Sequence, residues 1–212
     1  SLANAFDEVC KYYSAEGQAA PFERQALIKL RHIAGDAALG KKVETHRDSF
    51  VYSGAPWDLT VALDLRRQQV KQLVEPGQIN LKHSHGGIVT LEYAIQYLQV
   101  MHGHRHPSLR TPNTLRALAA LIDVGLIPRA TGENLRKSYL FIRMLIDGLR
   151  MVRGNTKDLV IPPPDSDEFI FLARRVGYQT EDWQAGARHL QTDIEEHMKQ
   201  NRQFFEKMFG KV

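Results

Sequence analysis

Cysteine is almost missing from this chain: Cys10 is the only one among 212 residues. An internal disulfide is therefore excluded, apolar burial must hold the fold, and a reducing compartment is expected. Long apolar runs are lacking too, and no stretch approaches the roughly 18 consecutive apolar residues of a membrane-spanning helix. No basic-then-apolar leader precedes the first helical pattern, so the expected location is cytoplasmic, with no membrane partner. Charge of one sign is not in large excess. The 28 basic against 24 acidic residues leave +4, too little to predict nucleic-acid binding unless the cations cluster. Sustained period-two alternation of β-branched residues is also absent, which argues against a domain built on sheets.

What is present is helical spacing. Apolar residues recur at three- and four-residue intervals almost throughout, which predicts an all-α helical bundle with a long C-terminal helix. At most one or two very short strands are expected, near Val51 and Ile79. Helices are expected at about 2–15, 21–34, 37–48, 57–75, 86–102, 112–124, 132–153, 166–176 and 180–209. Pro21 suits a first helical turn, where its missing N–H has no partner to lose, and Thr111-Pro112 repeats that logic with Thr111 as cap. Gly125 fits a left-handed helix stop. Asn155 to Pro164 reads as a linker, because Pro162-Pro163-Pro164 forbids helix, and Asp165 or Ser166 can cap the helix expected from 166.

In the last helix, Trp183, Ala187, Leu190, Ile194, His197, Asn201, Phe204 and Met208 follow a 4-3 alternation. A straight helix should bypass the polar His197 and Asn201 in favour of Met198 and Phe205. The helix at 132–153 carries Leu135, Tyr139, Ile142, Ile146 and Leu149 on one stripe and Leu140, Met144 and Met151 on another, which predicts packing on two sides.

Several charged side chains stand inside apolar faces. Glu23 is set among Phe22, Ala26, Leu27 and Leu30, Arg66 among Leu59, Ala62, Leu63, Val70 and Leu73, and Glu92 between two apolar stripes of its helix. An unpaired buried charge costs several kcal/mol, roughly. Glu23, Arg66 and Glu92 are therefore expected to share a partly buried polar network, or each to find its own local partner. Gly86-Gly87 at a helix start, with Lys82 upstream, has the form of an anion site made from backbone amides. His102, His104 and His106 alternate in a loop, as do His83 and His85, but no cysteine or H-E-x-x-H helix completes a site, and no metal is expected. Arg136, Arg143 and Arg150 recur every seven residues with Asp147 among them and read as a solvated face.

The run Asn80 to Gln96, N-L-K-x-S-x-G-G-I-x-x-L-E-Y-x-I-Q, resembles the glutamine synthetase adenylyltransferase/deadenylylase family, which includes related uridylyltransferases of PII-type signal proteins. The similar region is the helical part following their nucleotidyltransferase core. Phe22-Glu23-Arg24-Gln25-Ala26-Leu27-Ile28-Lys29-Leu30-Arg31 resembles the family's W-E-R-x-A-L-x-K-x-R, with Phe22 for tryptophan. Phe50-Val51-Tyr52, Leu109-Arg110-Thr111 and Tyr139 to Arg143 extend the likeness across most of the chain. Ser84 departs from it where glycine is usual, and Val89-Thr90 where an acidic or arginine-acidic pair is usual.

The resemblance implies a division into 1–55, the tail of a nucleotidyltransferase domain, and 56–212, a helical bundle with a joint at 154–165. It implies that Arg24, Lys29, Arg31, Lys82, Gly86 and Gly87 lie beside nucleotide or substrate, with Arg24 and Arg31 on one helix face. No catalytic residue is expected in this chain. Magnesium and ATP belong, on the same resemblance, to a G-S-x-x-D-x-D core that these 212 residues do not contain. The chain begins directly in a helical pattern and is expected to be part of a longer protein. Its implied partners are that upstream domain and either glutamine synthetase or a PII-type signal protein. The competing reading is an independent helical module that binds protein or, less readily, nucleic acid.

Overall fold

The computed structural model of the protein describes residues 4–57, 59–155 and 158–210. Among these, the α-helices are α1 (Phe6–Tyr12), α2 (Glu23–Leu27), α3 (Ala37–Val51), α4 (Thr60–Leu73), α5 (Ile88–His102), α6 (Thr114–Asp123), α7 (Arg129–Arg153), α8 (Asp167–Arg175) and α9 (Trp183–Phe209), with a 3-10 turn at Pro107–Leu109. The protein is all-α. Among the described residues the sole β feature is an isolated antiparallel bridge between Asn80 and Val160, so the strand expected near Ile79 reduces to one residue pair. Val51 instead ends α3. Leu2 and Ala3 of the first expected helix, Asp58 of the fourth, and Thr156 and Lys157 of the expected joint lie outside the described residues.

Two compact units emerge, one running through Asp64 and adding Ile95–Arg129, the other comprising Leu65–Ala94 and the residues from Ala130 onward. In the first, Ile28, Val51, Tyr52, Trp57, Ala62 and Val100 form the core, and Trp57 stacks on Tyr97 with ring centroids 5.8 Å apart. The second has the larger core. There Leu81, Ile88 and Val89 pack with Ile142, Ile146 and Leu149 of α7, Phe169 and Leu172 of α8, and Leu190, Ile194 and Met198 of α9. Polar caps start the later helices: Asn113 accepts from Arg116 N at 3.0 Å, Ser166 from Phe169 N at 3.2 Å and Asp182 from Gln184 N at 2.9 Å. Thr111 is thus not the cap of α6; its hydroxyl accepts from the amide of Asn113, the residue that is.

Three expectations are corrected by packing. The helix predicted for 21–34 is only five residues long. Its last turn tightens into i to i+3 bonds, Ile28 N to Gln25 O, Lys29 N to Ala26 O and Leu30 N to Leu27 O. Arg47 then takes the Leu30 carbonyl, and Glu44 takes the His32 amide at 2.9 Å. Side chains of α3 thereby satisfy the backbone groups that a longer helix would have paired internally. Second, α7 packs on one side: Leu135, Ile142, Ile146 and Leu149 are buried, whereas Leu140, Met144 and Met151 are exposed. Third, Asn201 is not bypassed but fully buried between Met198 and Phe205 on the seam of α9.

Candidate functional site

The segment Asn80 to Gln96 is tied together by its own polar groups. Asn80 Oδ1 accepts from the amides of Lys82 and His83, both at 3.0 Å, while Asn80 N donates to Ser84 Oγ at 2.8 Å and Ser84 N returns a bond to Asn80 O at 3.0 Å. Short polar side chains favour such turns because they substitute for backbone partners. The Leu81 amide crosses to Leu159 O, and Ile161 N to Ile79 O, which docks the proline-rich linker on this segment.

The diglycine is a crossing point for backbone. Gly86 has φ +88, and a Cβ there would collide with the Met198 carbonyl oxygen of α9 and lie 2.8 Å from the Met198 carbonyl carbon. A Cβ at Gly87 would stand 2.8 Å from Leu81 O. Asn201 Nδ2 donates to Gly86 O at 2.9 Å, so α9 lies directly on the loop. The amides expected to face an anion are committed internally: Gly86 N to Thr90 Oγ1 at 3.1 Å, Gly87 N to Ser84 O at 2.8 Å, Ile88 N to Leu81 O at 2.9 Å and Val89 N to Lys82 O at 3.2 Å. Lys82 is exposed beside this loop. These four amides therefore have partners within the fold.

Behind the diglycine lies Arg66, only 1% exposed. Its guanidinium donates to Gln69 Oε1 at 3.3 Å, His83 O at 2.9 Å, Ser84 O at 3.3 Å and Thr90 Oγ1 at 3.0 Å. All four acceptors are neutral oxygens. Burial without a carboxylate lowers the Arg66 pKa to about 10. The same burial, reinforced by the positive field of Lys82 and Arg66, pushes His83 down to about 4. Its Nδ1 is buried without a hydrogen-bond partner.

Glu23, Arg66 and Glu92 reach distinct partners. Glu23 Oε1 accepts from Tyr12 OH at 3.0 Å and Ala20 N at 2.8 Å, and Glu92 Oε1 accepts from Tyr139 OH at 3.3 Å. Buried amides link further segments. Gln25 Nε2 donates to Gln96 Oε1 at 2.8 Å, and Gln99 Nε2 reaches Leu109 O at 2.6 Å and Thr111 O at 2.8 Å.

Two basic residues of the α2 region, Arg24 and Lys29, bond within the fold. Arg24 donates through Nε and Nη2 to Val51 O, at 3.0 and 2.8 Å, and through Nη1 to Ala55 O at 3.0 Å. Lys29 bonds Pro112 O at 3.1 Å and Thr114 Oγ1 at 2.9 Å. Arg31 is exposed and lies beyond the end of α2, so it does not share a helix face with Arg24. Sequence reasoning overlooked Thr90 and Asn201 as organising residues. A hydroxyl shortly after the diglycine, and an amide inside an apolar seam, were the available signals.

The family model described as "GlnD PII-uridylyltransferase" matches residues 61–209, well over half of the chain. The chain belongs to the glutamine synthetase adenylyltransferase and PII-uridylyltransferase family. It is 34% identical over 177 residues, 82% of its length, to a bifunctional glutamine synthetase adenylyltransferase/adenylyl-removing enzyme of Mycobacterium tuberculosis (strain ATCC 25618 / H37Rv). Enzymes with the same description from Xanthomonas campestris pv. campestris (strain B100) and Hahella chejuensis (strain KCTC 2396) are 34% and 35% identical over 87% and 68% of this chain. These alignments span 18%, 19% and 15% of the three relatives, so the chain corresponds to under a fifth of each. Within the run Asn80 to Gln96, Asn80, Ser84, Gly86, Gly87 and Thr90 shape backbone crossings. No helix among the described residues is long and apolar enough to cross a membrane.

Proposed function

We propose that this chain is a helical accessory region of a nucleotidyltransferase acting on glutamine synthetase, and that it positions the reacting partners without itself transferring the nucleotide. One observation carries this reading: the diglycine amides and the Arg24 guanidinium of the family-like motifs are engaged within the fold. The diglycine amides close their own loop, and Arg24 holds the end of α3. Glutamine synthetase is favoured as the protein substrate by the descriptions of the relatives. Among the described residues no group of three or more His, Cys, Asp or Glu is placed to hold a metal ion. Nucleotide and magnesium chemistry is assigned to a core outside this chain.

The test is nucleotide transfer. Incubated with labelled ATP, magnesium and glutamine synthetase, the isolated chain should leave the synthetase unlabelled, and label above background would contradict the accessory role. In the intact parent enzyme, Gly86→Leu, which wedges the loop from α9, should lower labelling at least tenfold. Unchanged labelling would remove the positioning role.

A further inference from the structure

The second unit contains a groove beside the diglycine loop, which lends it Ser84 and His85. Val70, Val74, Ile79 and Met198 give it apolar walls, and its volume is about 650 Å³. That falls within the roughly 300–1,000 Å³ of small-molecule sites. Lys71 and Lys199 also line it, but Glu75 and Glu195 cancel their formal charge. His85 and Arg202 belong both to this groove and to a smaller cavity of about 10 Å³, lined also by Arg66, Thr90, Phe205 and Glu206. The smaller space has room for about one water. Against the two arginines, Glu206 is the one carboxylate lining it among the described residues, which leaves one formal positive charge.

Arg66 is the source of that excess, being buried with neutral acceptors alone. A buried cation is stabilised by a nearby anion, and the interaction is stronger in low dielectric than in water. Thr90 offers Arg66 a hydroxyl where a carboxylate would have neutralised it. The exposed residues His85 and Arg202 line both the cavity that holds that charge and the apolar groove.

We propose that this groove binds a small amphiphilic anion, with a carboxylate or phosphate head at His85 and Arg202, Arg66 behind them, and an apolar tail along Val70, Val74, Ile79 and Met198. The site is independent of nucleotide transfer, and its test does not use that activity.

Calorimetric titration of the full chain with octanoate, octyl phosphate, octanol and acetate tests both halves of the site. Octanoate or octyl phosphate should bind at least tenfold more tightly than octanol and acetate. Arg202→Gln, an exposed position that should leave the helical circular dichroism unchanged, should weaken octanoate about tenfold. Thr90→Asp, which supplies Arg66 with an internal carboxylate, should weaken it as well. Proton NMR gives an independent reading: Arg66, Arg202 and Glu206 face His85, and burial with the two arginines holds its pKa below the usual value. A bound anion should raise it. Octanoate binding no tighter than octanol, binding indifferent to Arg202→Gln, or an unmoved His85 titration would each overturn the proposal.

Discussion

Two buried arginines, one in each compact unit, solve the same physical problem differently. Arg24 directs its guanidinium at Val51 O, the last carbonyl of α3, and at Ala55 O just beyond. A helix C-terminus carries partial negative charge and orphan acceptors, so Arg24 gains both hydrogen bonds and a favourable dipole. Arg66 directs its guanidinium at His83 O, Ser84 O and Thr90 Oγ1, in the loop leading into the start of α5 and its first turn. The dipole there is positive. Both guanidiniums rely on neutral acceptors and burial lowers the pKa of both, but only Arg24 gains a favourable helix dipole, which distinguishes a clamp from a site that attracts an anion.

Two positive-φ glycines, one in each unit, also differ in what they approach, and substitutions should magnify that contrast. Gly86→Ala places a methyl group against the rigid Met198 backbone at positive φ. Overpacking and backbone strain together should cost about 3–5 kcal/mol in urea unfolding. Gly54, in the first unit, also has positive φ, but a Cβ there would stand 3.2 Å from the His104 ring, a side chain able to move. Gly54→Ala should cost only about 1–2 kcal/mol. Equal costs would erase the distinction between a backbone crossing and a side-chain contact.

A pH titration sharpens the contrast further. His83 has a folded-state pKa of about 4, well below the roughly 6.5 of an unfolded histidine. The unfolded state therefore binds more protons between those values, and stability present above about pH 6.5 is lost as pH falls toward 4. Unfolding midpoints should decline across that window, and His83→Gln should flatten the decline. A small effect is expected at a cap. Ser166→Ala removes the acceptor for Phe169 N and should cost about 1 kcal/mol, measured by the same unfolding curves.

Much of the architecture was legible because it depends on local pattern. The length of α9, the stop at Gly125 with φ +75, and the Ser166 cap all depend on residues near each element. Features set by distant partners were not legible. The apolar face of residues 21–34 reads as one helix, yet Arg47 and Glu44 capture its backbone from α3. Asn201 looks dispensable in a heptad-like seam until Gly86 O, 115 residues away, provides its partner. The diglycine was recognisable as a special point, but its purpose depended on where α9 returned. A helix start with free amides and one with engaged amides share the same sequence signature.

The most direct measurement compares Arg24→Met with Arg66→Met in urea unfolding. Arg24→Met orphans the carbonyl at the end of α3 and should cost about 3 kcal/mol. Arg66→Met also removes hydrogen bonds, but Ser84 O retains Thr90 Oγ1 at 3.3 Å and an uncompensated buried charge is eliminated. Its cost should be about 1 kcal/mol. An Arg66→Met loss equal to or larger than that of Arg24→Met would contradict the account, because the Arg66 charge would then be compensated within the fold.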